Sequence, residues 1–335
     1  MKTLTFSQAL NTSLRSAMEH DSKVVLMGED IGKLGGVFRI TDGLQKDFGQ
    51  HRVIDTPLAE SGIVGTAIGL AFRGYRPVVE IQFDGFVYPA FDQIVAQLAK
   101  MHFRSRGNVK LPVTIRIPFG GGIGSPEHHS ESPEAYFAHT AGLRVVSPSN
   151  PQDAYTMLQQ AIADDDPVIF LEPKRRYHVR GEVDTDQVPD PESLYSAQVV
   201  REGADLTLIA YGPLVKTAMD AAAAARDEGI DIEVIDLRSI EPVDFGTLAA
   251  SVRKTGRVVI AHEASKFGGI GAELAASLTE RCFDHLDHAP VRVTGFDIPY
   301  PPSKLEHHHL PDLDRILDGV DRAMRRTGDL LGEEG

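Results

Sequence analysis

Apolar positions along the chain alternate between two spacings. Phe6, Leu10, Leu14 and Met18 recur at every fourth residue, which predicts a first helix with one buried face. The segment Lys23–Met27 that follows is apolar from Val24 onward and predicts a buried strand. Because strands that alternate with helices form βα units, the pattern predicts an α/β fold built on a mainly parallel sheet.

The same alternation continues through most of the chain. It predicts further strands at residues 52–54, 76–83, 112–117, 143–146, 167–171, 206–210, 232–237, 258–261 and 291–296. It predicts helices at residues 44–48, from Glu60 onward, from Phe91 to Met101, after the capping residue Asn150, at residues 215–226 and at residues 313–325. From residue 119 to residue 133 the pattern predicts a long loop instead.

The periodicity fails between Glu172 and Ser196, where polar residues, Pro189 and Pro191 dominate. A chain of 335 residues corresponds to about two domains of ordinary size. We therefore expect two open, mainly parallel α/β domains at residues 1–175 and 197–328, joined by a linker at residues 176–196. A tail at residues 329–335 should follow them.

Composition narrows the class of protein. Acidic residues outnumber basic ones, 48 to 34, and the net charge of −14 argues against a nucleic-acid or anionic-membrane partner. The polar start of the chain lacks a signal sequence, and no apolar run reaches the roughly 20 residues of a membrane span. The single cysteine, Cys282, excludes an internal disulfide and a thiolate metal cluster. We expect a cytoplasmic bacterial enzyme, or an organellar one after removal of a transit peptide.

The segment from Asp55 to Gly69 carries the strongest chemical signal. A carboxylate, Glu60, stands at the start of a helical pattern in which Gly62, Gly65 and Gly69 recur at helical spacing. Since each glycine weakens an isolated helix by about 1 kcal/mol relative to alanine, the spacing predicts close packing against another backbone or a ligand. Glu60 itself has two interpretations: it complements the positive end of the helix dipole, or it is held against a ligand nitrogen.

The predicted loop after residue 119 holds two further candidates. Gly120–Gly124 could cradle a phosphate through backbone N–H groups, but it lacks the Lys-Ser/Thr ending of a P-loop, so a flexible loop is the better interpretation. His128 and His129 follow, and adjacent histidines chelate a single metal poorly. From the residues alone, a surface position and a role in proton transfer are equally open for them.

Eight segments, taken in order, resemble the β chains of thiamine-diphosphate-dependent 2-oxoacid dehydrogenases, most closely the branched-chain 2-oxoacid dehydrogenases. These segments are 55–62, 80–83, 91–94, 129–130, 146–148, 170–174, 234–238 and 262–264. A single tetrapeptide is weak evidence, whereas an ordered set that covers most of residues 1–325 is specific. The resemblance implies a transketolase-like pyrimidine-binding domain followed by a transketolase C-terminal-like domain.

The resemblance also implies an active site. Leu58, Gln82 and Phe86 would form a slot for the aminopyrimidine ring of thiamine diphosphate, with Glu60 as the carboxylate that activates it. His129, rather than His128, would be the catalytic histidine. Leu111, Val113, Thr114, Ala161, Asp164 and Asp166 match positions that hold a structural potassium ion in the branched-chain family.

The resemblance further implies partners. The Gly-Asp-Gly segment with a downstream Asn, which holds Mg²⁺ and the diphosphate in thiamine enzymes, is missing from the sequence. We therefore expect an α chain to supply that half of the site in an α2β2 heterotetramer. A lipoyl acyltransferase core, with its subunit-binding domain, should receive the acyl group.

Three alternatives stay open at this point. A pyruvate or acetoin dehydrogenase β chain is the runner-up to the branched-chain enzyme. A non-catalytic scaffold subunit of the complex belongs to a different class. A self-sufficient transketolase-like enzyme is disfavoured by the missing diphosphate motif.

Overall fold

The structure, a computed structural model, describes residues 1–187 and 190–324, without the side chain of Glu192. These residues form two compact units. The first consists of Met1–Gly120 and His128–Leu194, and the second of Gly121–Glu127 together with the chain from Tyr195 onward. The end of the predicted last helix at Arg325 and the predicted tail at residues 329–335 lie outside the described residues.

The first unit alternates strands with helices. Its strands are β1 (Lys2–Thr5), β2 (Val24–Gly28), β3 (Val53–Asp55), β4 (Arg76–Glu80), β5 (Thr114–Phe119), β6 (Arg144–Val146), β7 (Val168–Pro173) and β8 (Arg180–Val183). Its α-helices are α1 (Phe6–His20), α2 (Leu44–Phe48), α3 (Glu60–Phe72), α4 (Ala99–Arg104), α5 (Glu134–Ala138) and α6 (Pro151–Ala163).

The parallel sheet of the first unit places one set of strand ends together. Strands of this unit pair in the order β6-β7-β5-β4-β2-β3, and each of these pairs is parallel. Gly28 is in register with Glu80, and Glu80 with Arg116. The segments that leave β2, β4, β5 and β7 therefore start from the same edge, which is where open α/β sheets bind ligands.

Four helices of the first unit, α1, α2, α3 and α6, begin where the sequence predicts them. All four apolar residues of the predicted first stripe are buried in α1, which begins with a capping box formed by Thr5 and Gln8. The side chain of Asn150 accepts a hydrogen bond from the N–H of Asp153 and so caps α6. The predicted stripe and the predicted cap are both confirmed.

Several elements of the first unit differ from the prediction. β4 ends at Glu80 rather than at Phe83, because the chain turns into a 3-10 helix at Asp84–Ala90. The helical run that follows is a π-helix at Gln93–Leu98 that continues into α4. Residues 176–196, predicted as a linker, contain β8, which pairs antiparallel with β1. Neither β1 nor β8 was predicted, and the domain boundaries themselves stay a prediction.

The second unit is a smaller α/β layer structure. Its strands are β9 (Gln198–Arg201), β10 (Leu206–Ala210), β11 (Ile232–Asp236), β12 (Ser239–Glu241), β13 (Val258–Ser265) and β14 (Val291–Gly295). Its α-helices are α7 (Leu214–Asp227), α8 (Phe245–Thr255), α9 (Ile270–Cys282), α10 (Glu306–His309) and α11 (Leu313–Met324). The sheet order β14-β13-β10-β11-β9 is parallel except for β9, and α7 and α11 bury their apolar faces against it.

The two units confirm the predicted fold class, in which two mainly parallel α/β layers follow one another in the chain. Across the residues that the structure describes, none of the helices combines the length and apolar character that crossing a membrane requires.

Candidate functional site

The start of α3 places a buried carboxylate at the ligand-binding edge of the first sheet. Glu60 is the first residue of that helix and is only 7% exposed. Glu29, which follows β2 directly, lies beside Glu60. Burial raises the pKa of Glu29, and the negative charge of Glu60 raises it further. The charge of Glu60 therefore disfavours a second negative charge on Glu29.

The bend after β4 brings Gln82 to the same place. Its side-chain Nε2 lies 3.3 Å from the backbone oxygen of Glu29 and 3.3 Å from Oδ2 of Asp30. Because β4 stops at Glu80, Gln82 lies on a bend rather than within the sheet. Gln82 thus contacts the backbone of Glu29, whose carboxyl lies beside Glu60.

An aromatic cluster adjoins this bend. The ring of His129 stacks on Phe83, with centroids 4.0 Å apart and an interplanar angle of 15°. Phe86 meets the same imidazole edge-on at 5.0 Å and meets Phe83 edge-on at 5.9 Å. His129 is half-buried, its Nδ1 has no hydrogen-bond partner among the described residues, and His128 is exposed. The cluster therefore fixes the plane of the His129 ring and leaves Nδ1 without a hydrogen bond to the described residues.

Two buried charge networks lie next to the aromatic cluster. Arg116 is 1% exposed and bonds Glu80 at 2.8 Å and Glu172 at 2.6 Å, and the hydroxyl of Tyr177 donates to Glu172. Burial alone lowers the pKa of Arg116, but the two carboxylates outweigh it and raise that pKa overall. The second network is an ion pair between Lys174 and Asp84. Both networks join β4, β5 and β7 near the edge where the candidate site lies.

Most of the predicted site residues come together at this edge. Glu60, Gln82, Phe86 and His129 converge there, while the side chain of Leu58 is 83% exposed and contacts none of them by hydrogen bonding or ring stacking. The glycines of α3 do not pack closely within the described chain, since an added Cβ at Gly65 or Gly69 would meet nothing within 4 Å. The packing that their spacing predicts is therefore not made inside this chain.

Sequence reasoning missed three residues of the site: Glu29, Asp84 and Lys174. Each follows the end of a strand in the sheet, which is a signal that the sequence does carry. Their partners, however, are distant along the chain; Asp84 and Lys174 are 90 positions apart. Their positions after strand ends could have identified all three as candidates. The pairing of Asp84 with Lys174 could not have been predicted in this way.

The Gly-rich loop belongs to the second unit and is already satisfied there. The N–H of Gly121 donates to Glu263, and those of Gly122 and Gly124 donate to Glu306. A Cβ at Gly121 would lie 1.9 Å from the hydroxyl of Tyr300, so only glycine fits that position. Because two carboxylates occupy these donors, the loop is a poor phosphate cradle.

The six residues predicted as potassium ligands lie at the start of β5 and from the last turn of α6 to the start of β7, at the opposite ends of the strands. They are linked in three pairs: Val113 N–H to Leu111 O at 2.7 Å, Thr114 Oγ1 to Ala161 O at 3.1 Å, and Asp166 N–H to Asp164 Oδ1 at 2.8 Å. Backbone carbonyls suit K⁺ as ligands. The guanidinium of Arg76 donates to the carbonyl of Asp164 at 2.9 Å, which puts a fixed positive charge beside the same oxygens.

Comparisons with known proteins agree with the geometry. A family model described as the transketolase pyrimidine binding domain matches residues 2–179, and one described as the transketolase C-terminal domain matches residues 196–316. A solved structure described as "Split gene transketolase, inactive beta4 tetramer" superposes with a TM-score of 0.78 over 96% of this chain and 98% of its own. At 23% identity that likeness shows the fold alone, a transketolase-like two-domain fold.

Curated relatives are much closer in sequence. The pyruvate dehydrogenase E1 component subunit beta of Leifsonia xyli is 57% identical over 97% of this chain and 96% of its own length. The 3-methyl-2-oxobutanoate dehydrogenase subunit beta of Mycobacterium tuberculosis is 54% identical over 97% of this chain and 93% of its own length. The 2-oxoisovalerate dehydrogenase subunit beta of Pseudomonas aeruginosa is 47% identical over 96% of this chain and 95% of its own length. The chain therefore belongs to the family of 2-oxoacid dehydrogenase E1 β subunits, built from the transketolase pyrimidine-binding and C-terminal domains.

Proposed function

We propose that this chain is the β subunit of a branched-chain 2-oxoacid dehydrogenase. With an α chain it would oxidatively decarboxylate 2-oxoacids such as 3-methyl-2-oxobutanoate and pass the acyl group to a lipoyl group on an acyltransferase core. Family membership implies dependence on thiamine diphosphate. The observation that carries the proposal is the buried Glu60 at the first turn of α3, beside Glu29, whose backbone oxygen Gln82 contacts.

The residues present fit the pyrimidine end of thiamine diphosphate. When bound, the cofactor supplies the electron sink that accepts the electrons released by decarboxylation. Glu60 would hydrogen-bond to the ring nitrogen N1′, and its negative charge would favour the neutral form of Glu29 beside it. Gln82, whose Nε2 is held by the backbone oxygen of Glu29 and by Asp30, would line the slot for the ring. Phe86, together with the exposed Leu58, would cover the ring and exclude water.

His129 would exchange a proton with the substrate during decarboxylation and acyl transfer. Its ring is held by stacking on Phe83, and its Nδ1 has no hydrogen-bond partner among the described residues, so no protein group competes there with a substrate atom. An imidazole titrates near neutral pH, which suits a group that acts as acid in one step and base in the next. His128 is exposed and has no such constraint.

An α chain would complete the site. Among the described residues no group of three or more His, Cys, Asp or Glu side chains could hold a metal ion, and the amides of the Gly-rich loop are occupied by Glu263 and Glu306. We therefore place the diphosphate and Mg²⁺ mainly on the α chain. The open glycine face of α3 and the exposed Leu58 give that chain a surface to cover, which supports an α2β2 assembly.

Two finer points belong to the proposal. A potassium ion would be held by the oxygens of residues 111–114 and 161–166, with Arg76 as its competitor for the Asp164 carbonyl. The subunit-binding domain of the acyltransferase would dock the assembled enzyme on its core.

Three sequence segments bear on the substrate. The segments 80–83, 170–174 and 262–264 favour the branched-chain enzymes. Pyruvate is the second candidate, because the Leifsonia xyli relative named as a pyruvate dehydrogenase subunit is 57% identical. The assembled enzyme, purified with its α chain, should show a higher kcat/KM for 3-methyl-2-oxobutanoate than for pyruvate. A preference for pyruvate would refute the branched-chain assignment and leave the family assignment intact.

Substitution of Glu60 tests the catalytic role against a scaffold role. Glu60→Ala should leave folding and assembly nearly intact and lower kcat by about 10²-fold or more, the scale of a lost proton-transfer group. Glu19→Ala, which removes an exposed carboxylate on α1, serves as the matched control and should leave kcat unchanged. If the Glu60 variant assembles and decarboxylates as well as the control, the chain is a scaffold subunit and the proposed function is wrong.

A further inference from the structure

A fully buried ion pair lies behind the aromatic cluster of the first unit. The Nζ atom of Lys174 lies 2.5 Å from Oδ1 of Asp84, and both side chains are completely buried. Asp84 opens the 3-10 helix after β4, and Lys174 follows β7. Lys174 also approaches the carbonyl of Pro118 on the intervening strand β5, at 3.5 Å. The pair therefore spans three neighbouring strand ends.

The second oxygen of the same carboxylate holds the histidine loop. Oδ2 of Asp84 accepts the N–H of Glu131 at 2.9 Å, and the carbonyl of Glu131 accepts the N–H of Gly120 at the same distance. Next to Asp84, a Cβ at Gly85 would lie 2.3 Å from the carbonyl oxygen of His128, so the two backbones are in direct contact. These contacts fix the chain immediately before and two residues after His129.

The ring of His129 depends on those backbone positions. Its Nδ1 has no hydrogen-bond partner among the described residues, and the ring is oriented by stacking on Phe83 and by the edge of Phe86. Stacking fixes the plane of a ring but permits sliding within that plane. The hydrogen bond from Glu131 to Asp84 restricts the sliding, because it fixes the backbone that carries the imidazole.

We propose that Asp84, held by Lys174, is a positioning residue for His129. The proposal rests on the proposed function, in which His129 exchanges a proton with the reacting groups. A buried ion pair is weak evidence for stability, since desolvation of both charges offsets their attraction. What this pair does specifically is to aim one carboxylate oxygen at the Glu131 N–H and keep it there.

Two double variants separate positioning from a merely structural role. Asp84→Asn with Lys174→Met removes both charges but leaves an amide oxygen that can accept the Glu131 N–H. Asp84→Leu with Lys174→Met removes both charges and the acceptor. Neither leaves an unpaired buried charge, which is the usual reason that a single substitution in such a pair unfolds a protein. The two variants differ in the acceptor for Glu131.

The experiment uses the complex with its α chain and measures kcat, KM, the pH profile of kcat and amide hydrogen exchange at Glu131. The Asn/Met variant should keep kcat within about threefold of the unsubstituted enzyme. The Leu/Met variant should lose about tenfold or more in kcat, with KM changed less than about threefold and with similar resistance to denaturant. Exchange at Glu131 should accelerate at least about tenfold in the Leu/Met variant alone.

His129→Ala separates the failure of this inference from failure of the proposed function. If His129→Ala is impaired but the two double variants have equal kcat and equal exchange at Glu131, the positioning role is wrong. If His129→Ala is fully active, the role of His129 in the proposed function is wrong, and exchange at Glu131 alone decides whether Asp84 anchors the loop. Unchanged exchange in the Leu/Met variant overturns the anchor in either case.

Discussion

His262 should make the second unit sensitive to acid. It lies on β13, is 1% exposed and stacks on Tyr211 with ring centroids 6.2 Å apart. Its Nε2 accepts the N–H of Gly271, a bond that only the unprotonated nitrogen can make. Burial lowers the pKa of His262 from 6.5 to about 4. The folded state therefore binds a proton less readily than the unfolded state between these two pH values.

The sign and size of the effect follow from this difference. Where the unfolded state binds more protons, the free energy of unfolding rises with pH, by up to about 1.4 kcal/mol per pH unit for one group. The pKa of His262 falls from 6.5 to about 4, which corresponds to about 3 kcal/mol. This stability is fully present above pH 6.5 and is lost as the pH falls towards the folded pKa of about 4.

The perturbation is His262→Gln, whose amide oxygen can still accept the Gly271 N–H but does not titrate in this range. Hydrogen exchange of β10 and β13 amides, measured at several pH values, reports the opening free energy of the second unit. The unsubstituted chain should lose about 3 kcal/mol more than the variant between pH 6.5 and pH 4. His285→Gln, at an exposed histidine, is the control. Its opening free energy should change with pH as steeply as that of the unsubstituted chain. Equal slopes in the His262 variant and the unsubstituted chain would refute the reasoning, as would an imidazole NMR titration near 6.5.

Two further predictions concern the Gly-rich loop of the second unit and the cofactor site, of which this chain supplies only the pyrimidine half. Glu306→Ala should accelerate amide exchange at Gly122 and Gly124 by about tenfold or more, since a hydrogen bond to a charged group contributes about 1.5–3 kcal/mol. Glu280→Ala on α9 should leave both unchanged, and unchanged exchange in the Glu306 variant would contradict the anchoring of the loop. The isolated chain with Mg²⁺ should bind thiamine diphosphate weakly by calorimetry, because its placed residues address only the pyrimidine ring; micromolar affinity would refute the half-site argument.

Elements that depend on local pattern were predictable. The helix at Leu44–Phe48 and the strand at Leu206–Ala210 have the predicted bounds, because apolar periodicity and the flanking glycines or polar residues decide them locally. The predicted ends of other strands differ from the observed ends by one to three residues, as at β4 and β5. Those ends depend on neighbouring strands rather than on the sequence of the strand itself.

The pairing of β1 with β8 was not predictable from either segment. Lys2 pairs with Val183 and Thr5 with Arg180, so the partners come from opposite ends of the first unit. Both strands are short and largely exposed, and their residues show little apolar alternation. Such an edge pair forms because the rest of the unit brings the two segments together, which no local pattern reports.

The candidate site also contains residues that the sequence could identify and residues that it could not. Glu60 and His129 could be named from the family resemblance, and Glu60 also from its place at the start of a glycine-rich helix. Glu29 could not, because it gains its importance only when the end of β2 packs against the start of α3. The same holds for Asp84 and Lys174, whose chemistry depends on a contact across the sheet.

The buried polar groups at this edge of the first sheet are of two kinds, those with partners inside the chain and those without. Arg116 with its two carboxylates, and Lys174 with Asp84, are satisfied inside the chain, so they need nothing further and serve to hold the strand ends. By contrast, Oε1 of Glu29 and Nδ1 of His129 are buried without a partner among the described residues. A buried polar atom without a partner costs about 1–3 kcal/mol, a cost that a chain retains where a ligand later supplies the bond. Because these unsatisfied atoms flank Glu60 and the aromatic cluster, they support the proposal that the site is completed by groups from outside this chain.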